Sequence, residues 1–142
     1  MPKAASQTLL GIDFGLKRIG IAVGQTLTKS ANPIAVLKAK NGEPSWNDID
    51  ALIQTWKADA IVVGIPYNMD GSEQPLTQVT RQFVKKLRAH ITLPIYTIDE
   101  RLTSVEAKQQ LFDKGELKEI ISTQQLDSYA AKLILEQWLQ NQ

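Results

Sequence analysis

Apolar residues along this chain fall into short blocks whose period switches between strand and helix. Leu9–Ile12 and Ile19–Val23 are two compact apolar runs separated by Asp13-Phe14-Gly15-Leu16-Lys17-Arg18. Their length and the Phe14-Gly15 corner predict a hairpin, with strands over 8–14 and 18–24. Residues 33–38 predict a third strand, with Pro33 at its start, where a missing N–H donor is tolerated. Lys40-Asn-Gly-Glu-Pro44 predicts a loop.

A helix follows, capped by Ser45 or Asn47, with Trp46, Ile49, Leu52, Ile53 and Trp56 as its apolar stripe. Because both tryptophans fall on that stripe, they read as core anchors rather than base-stacking platforms. The β-branched run over 59–65 predicts a strand buried on both faces. After it comes a polar, turn-rich stretch, 66–74, where ligand loops of open α/β sheets usually sit.

Pro75 suits the first turn of a second helix, with Leu76, Val79, Phe83 and Leu87 on its apolar face. Arg81, Lys85 and Arg88 share another face of it; a solvated surface is the plain reading and a phosphate contact the sharper one. Residues 93–98 predict a further strand, ending in Asp99-Glu100-Arg101. Thr103 and Glu106 form a capping box for a third helix, and 113–118 read as a connection. The last helix opens on a Ser122/Gln125 capping box with Ile121 and Leu126 at the staple positions. Its stripe is Leu126, Tyr129, Ala130, Leu133, Ile134 and Trp138, with Asp127 on the edge.

The order of these elements predicts an α/β domain: a mixed five-stranded sheet, made of a three-strand antiparallel meander plus parallel strands, with helices on both faces. The 142 residues fit one domain over 1–142, with 1–7 a flexible terminus. No apolar run is long enough to span a bilayer, and the N-terminus has no signal-peptide core, so no membrane association is expected. Sixteen Lys and Arg against fifteen Asp and Glu give a net charge of +1, so any nucleic acid must be bound by a local basic face. The absence of cysteine removes disulfides, thiolate nucleophiles and zinc–thiolate sites.

Three acids stand where function or partial burial is expected: Asp13 at the end of the first strand, Glu100 at the end of the last, and Asp127 in the first turns of the last helix. If strands one and five end at one edge and the helix crosses it, the three can meet. Converging carboxylates repel unless a cation lies between them. Oxygen donors with no cysteine and a single histidine favour Mg²⁺ or Mn²⁺ over zinc. The plainer alternatives are a strand-end Asp bonded to backbone, a helix-dipole Asp, and a Glu100–Arg101 pair. His90, at a predicted helix end, reads as solvent-facing rather than as a catalytic base.

Four blocks together resemble one family. Leu10-Gly-Ile-Asp-Phe-Gly-Leu-Lys-Arg-Ile-Gly-Ile-Ala-Val23 is similar to the opening signature of the YqgF, or RuvX-like, family. Val63-Gly-Ile-Pro-Tyr-Asn-Met-Asp-Gly-Ser-Glu73, Ile98-Asp-Glu-Arg-Leu-Thr-Ser-Val-Glu106 and Asp127-Ser-Tyr-Ala-Ala-Lys-Leu-Ile-Leu135 resemble its later blocks, in order. The resemblance implies a ribonuclease-H-like fold, a bacterial cytoplasmic location, and a nuclease for the 5′ end of pre-16S ribosomal RNA in ribosome biogenesis. It assigns Asp13, Glu100 and Asp127 as the catalytic and metal-binding acids, with Mg²⁺ or Mn²⁺ as cofactor. Related resolvases place an acid just after the fourth strand, where this chain has Gly64-Ile-Pro66.

On this reading Lys17, Arg18 and Arg101 contact phosphates, and Asn68 and Asp70 shape the substrate groove. The expected partners are structured RNA and ribosome-assembly intermediates, with the chain a monomer or weak homodimer. One alternative is resolution of branched DNA (Holliday junctions), which needs two active sites and hence a dimer. Another is a non-catalytic ribosome-assembly or transcription-associated binding module on the same fold. The Asp-x-Gly hairpin also resembles that of sugar kinases and actin-like ATPases, which need two such domains.

Overall fold

The computed structural model describes residues 6–100 and 123–142, without the side chains of 123–125. Alternation along the first strand, β1 (Thr8–Asp13), divides the core in two. Leu10 and Ile12 pack into one apolar cluster, whereas Leu9 packs into another on the opposite face. By the same alternation Gly11 and Asp13 share the face of Leu9.

β1 pairs antiparallel with β2 (Arg18–Gln25), in a register that sets Asp13 opposite Gly20. β2 pairs antiparallel with β3 (Ser30–Lys40), with an irregularity between Ile21 and Ala22 that admits Pro33 within the strand. On the other side β1 runs parallel to β5 (Ala60–Ile65), and β5 runs parallel to β6 (Ile95–Asp99). The sheet order is β4-β3-β2-β1-β5-β6, which contains the expected meander and parallel strands. The sixth strand, β4 (Glu43–Pro44), corrects the expectation of five strands and a loop over 40–44. Asn41 and Gly42 both take positive φ and turn the chain back, so that Lys40 and Glu43 pair.

Helices cover both faces. On the Leu10/Ile12 side lie α1 (Trp46–Trp56) and α2 (Pro75–His90), contributing Ile49, Phe83, Val84 and Leu87. Ser45 is the N-cap of α1, its Oγ accepting from the Asp48 N–H at 3.4 Å, and Lys57 in the left-handed region ends it. Trp46 is a core anchor as expected, stacked on Phe83 with ring centroids 6.0 Å apart. Trp56 is not: it stays 41% exposed, because it borders an open cleft beside Val23, Gly24 and Ile34 instead of packing under a closed surface.

On the Leu9 side lies α3 (Thr123–Gln140), burying Ile134, Leu135 and Leu139 against Leu9, Ala60 and Val62. Each such side chain contributes roughly 1.5–3 kcal/mol by leaving water. The helix comes close because the strands beneath it carry glycine. A Cβ on Gly11 would stand 2.7 Å from Leu135 Cβ and 2.9 Å from the Ala131 carbonyl oxygen. Glu136 ties the same helix to β3, its Oε2 accepting from the Ala31 N–H at 3.1 Å. The predicted third helix over 103 onward, the 113–118 connection, Arg101 and the Ile121–Gln125 capping signals lie outside the described residues or side chains.

Candidate active site

Parallel pairing brings the ends of β1, β5 and β6 to one edge of the sheet. Ile12 pairs with Val63 and Val63 with Thr97, so one further step sets Asp13 level with Gly64 and Ile98. The Glu100 N–H donates to the Ile65 carbonyl at 3.0 Å, which extends the ladder past β6. Glu100 therefore repeats the facing of Ile98, toward α3, as Asp13 does. The two carboxyl groups meet there within hydrogen-bonding reach.

Both groups are held away from their ordinary ionisation. Burial pushes Asp13 up to about 7, opposed by its hydrogen bond with Glu100 and reinforced by the charge of Asp127. Burial also pushes Glu100 up to about 9, with the charge of Asp13, its hydrogen bond to Asp13 and the charge of Asp99 acting in the same sense. Between these values the two carboxyl groups share one proton. Asp13 keeps some exposed surface, but Glu100 is only 5% exposed. With both ionised, the buried Glu100 Oε2 has no hydrogen-bond donor among the described residues. An ionised, buried, unpartnered oxygen is costly unless a cation meets it.

Asp127 approaches from α3. Its backbone carbonyl lies against Gly20, the residue paired with Asp13, where any Cβ would overlap it. Its carboxylate is turned to Arg18, whose Nε donates to Oδ2 at 2.9 Å; the two side chains are 36% and 26% exposed. The edge thus joins Asp13 and Glu100 directly, with Asp127 near enough for its charge to bear on Asp13. Among the described residues no group of three His, Cys, Asp or Glu side chains is placed to hold a metal ion. The Asp13–Glu100 pair nevertheless fits a hard divalent cation: two oxygen ligands, mutual repulsion and an orphaned Oε2.

Gly64 bears on the acid set. A Cβ there would stand 2.7 Å from Ile134 Cδ1 and 3.0 Å from Glu100 Oε2. The space above Gly64, within β5, is thus taken up by the Ile134 and Glu100 side chains.

An open cleft of about 570 Å³ adjoins the edge, lined by the β1–β2 turn with Lys17 and Arg18, by the start of α2, and by Asp127. Asn68 and Asp70 close the 66–74 loop on itself instead of lining this cleft. Asn68 Nδ2 donates to Ser72 Oγ at 2.9 Å, and Asp70 Oδ1 accepts from the Ser72 N–H at 2.9 Å. Arg81 braces the same loop, donating to Glu73 and to the Tyr67 hydroxyl, while Arg88 Nη2 donates to the Ile95 carbonyl at 3.1 Å. Two of the three cations on that helix face are therefore engaged within the protein. His90 ends α2, facing solvent in part, and its Nε2 meets Asp50 Oδ1 at 2.9 Å, far from the carboxyl pair.

Sequence reasoning missed the spacing role of Gly20 and Gly64 and the clefted start of α2. The first had a usable signal, glycine recurring on one face of a β-branched strand.

The family model described as "RuvX: Holliday junction resolvase" matches residues 7–141. The chain belongs to the RuvX family. A relative from Coxiella burnetii (strain Dugway 5J108-111), named "Putative pre-16S rRNA nuclease", is 60% identical over 133 residues, covering 94% of this chain and 92% of the relative. One of the same name from Shewanella denitrificans is 44% identical over 137 residues, covering 96% of each. Among solved structures, this RuvX chain is similar to Thermus thermophilus RuvC in complex with a Holliday junction substrate, with a TM-score of 0.53 at 17% identity, covering 90% of this chain and 91% of that one. It is also similar to the yeast mitochondrial Holliday junction resolvase, with a TM-score of 0.54 at 11% identity, covering 97% and 80%. At these identities the likeness establishes the ribonuclease-H-like fold of the RuvX chain and nothing further.

Proposed function

We propose that this RuvX-family protein is a divalent-metal-dependent nuclease that processes the 5′ end of pre-16S ribosomal RNA in the cytoplasm, on ribosome-assembly intermediates. The observation that carries it is the buried Asp13–Glu100 pair with its orphaned Oε2, at a sheet edge beside a cationic cleft. The names borne by relatives of up to 60% identity supply the substrate.

Asp13 and Glu100 would hold Mg²⁺ or Mn²⁺, with Asp127 completing the set when it leaves Arg18. Such an ion activates water and stabilises the leaving oxygen of a phosphodiester. The chain's own residues do the rest. Lys17 and Arg18 hold the phosphates of the strand at the cleft, together with Arg101. The self-bonded turn of Asn68 and Asp70 fixes the loop that flanks the strand. Burial by α3 excludes bulk water from Glu100, so charge interactions there are strong.

The test is cleavage of a pre-16S 5′-leader RNA with Mg²⁺ or Mn²⁺ by wild type, Asp13→Asn and Glu100→Gln. Removing either carboxylate should lower the cleavage rate by at least about a hundredfold, the order seen when one electrostatic group of an active site is lost. Equal rates would overturn the assignment. A four-way DNA junction in the same assay tests the resolvase alternative, which further requires a dimer.

A further inference from the structure

The cleft beside the carboxyl pair is more apolar than a phosphate site requires. One wall is Leu16 at the tip of the β1–β2 turn, 46% exposed. The other is the first turn of α2, with Pro75, Leu76 and Val79. Lys17 and Arg18 form the cationic rim.

Both walls are fixed before any ligand arrives. The Leu16 carbonyl accepts from the Gly42 N–H at 2.9 Å and the Lys17 carbonyl from the Ala39 N–H at 2.8 Å, which pins the turn to the β3–β4 end of the sheet. Across the cleft, the Gln74 N–H donates to Thr77 Oγ1 at 3.0 Å, and Thr77 Oγ1 in turn donates to the Pro66 carbonyl, which pins the start of α2 to the end of β5. The result is a preformed open cleft with aliphatic side chains on both sides, on which the apolar faces of a flat ring can rest. Asp127, on the cleft lining, already pairs with Arg18 Nε at 2.9 Å, so a phosphate on the rim meets Lys17 and an Arg18 shared with Asp127.

We propose that this slot takes one unpaired nucleobase of the RNA strand, stacked between Leu16 and the Pro75–Leu76 wall, with its phosphate on Lys17 and Arg18. The inference rests on the nuclease reading of the same edge and deepens it: the substrate must present a single-stranded nucleotide beside the cut. A base held in duplex stacking leaves the slot empty. Single strands are commonly read by resting splayed-out bases on side-chain faces, aromatic ones most often; here the faces are aliphatic.

The test uses the full-length protein without added divalent metal. The probe is an RNA hairpin with a 5′ single-stranded overhang, each overhang nucleotide replaced in turn by an abasic one, and binding is followed by fluorescence anisotropy. One position should weaken binding by about tenfold when abasic, in line with the loss of one stacked base, and its neighbours should not. In Leu16→Ala the intact RNA should bind more weakly and the abasic position should add no further loss; Leu16 is on an exposed turn, so this variant keeps its fold.

A flat scan, an undiminished abasic penalty in Leu16→Ala, or no binding by wild type overturns the slot. Adding Mn²⁺ to the same RNAs separates the two readings. Position-specific binding without cleavage overturns the nuclease and leaves the slot, whereas cleavage with a flat scan overturns the slot alone.

Discussion

Glu100→Gln should make the metal-free protein more stable at neutral and alkaline pH while removing its activity. In the unfolded chain the Glu100 carboxyl ionises near its ordinary value of 4.5, whereas in the folded chain burial and Asp13 hold it at about 9. Between those values the folded state binds more protons than the unfolded state, so stability falls as pH rises from 4.5 through about 9. Near pH 7.5 the accumulated penalty is on the order of 3–4 kcal/mol, at about 1.4 kcal/mol per unit. A glutamine escapes that penalty and can still donate to Asp13, but its second N–H lacks an acceptor, at a cost of roughly 1–2 kcal/mol. The net effect is therefore a gain of about 2 kcal/mol near neutrality, zero near about pH 5.5, and a loss of roughly 1–2 kcal/mol toward pH 4.5.

Urea unfolding in a chelating buffer, at steps from about pH 5 to about pH 8.5, measures this directly. Wild type should lose stability across the series, and Glu100→Gln should lose less, its midpoint crossing above that of wild type. Mn²⁺ at a hundred times its dissociation constant should restore about 2.7 kcal/mol to wild type and much less to the variant. A wild-type midpoint that holds steady or rises across that range, or a variant less stable than wild type at the alkaline end, would refute the buried-pair reasoning.

Gly20→Ala puts a methyl group into the Asp127 carbonyl, so α3 must shift. It should lower stability by ~1–3 kcal/mol, read as a drop in the urea midpoint at unchanged slope, and should reduce cleavage with it. Arg18→Gln breaks a pair that is one-third exposed, so stability should change by less than about 1 kcal/mol. If Arg18 holds a phosphate, the plot of log binding constant against log salt should become shallower by about one unit, and an unchanged slope would remove it from the rim.

The elements that read best from the sequence were those whose signal is local. The apolar run of Leu9 to Ile12, the β-branched run before Ile65 and the Pro75 helix start each name their own element, and each is found within a residue or two. β4 escaped notice because two residues carry no periodicity and form a strand only through their pairing with Ala39 and Lys40. Arg81 is the surface cation its helix face suggests, but nothing local shows that Glu73 and Tyr67 fold back onto it. Trp56 looked buried because helical spacing gives a face but not how fully the partner surface closes over each side chain on it. At the site, the nearness of Asp13 and Glu100 follows from parallel strands ending together, which the βα order implies. That Asp127 turns to Arg18 depends on side-chain choices at one helix start and has no sequence signature.

The glycines give a physical reason for the acid set. Gly20 lets the first turns of α3 rest on β2, and this close approach brings the charge of Asp127 to bear on Asp13. Gly64 leaves room for Glu100 to fold over β5 beneath Ile134. A side chain at residue 64 would require Ile134 and the Glu100 carboxyl group to shift from their present places. The same crowding that buries Glu100 deprives it of solvent and raises its proton affinity. A site built this way favours a proton, or a cation in the proton's place, over the empty dianion. Its stability and its affinity for a divalent ion then have one origin, the depth at which α3 sets the two carboxyl groups.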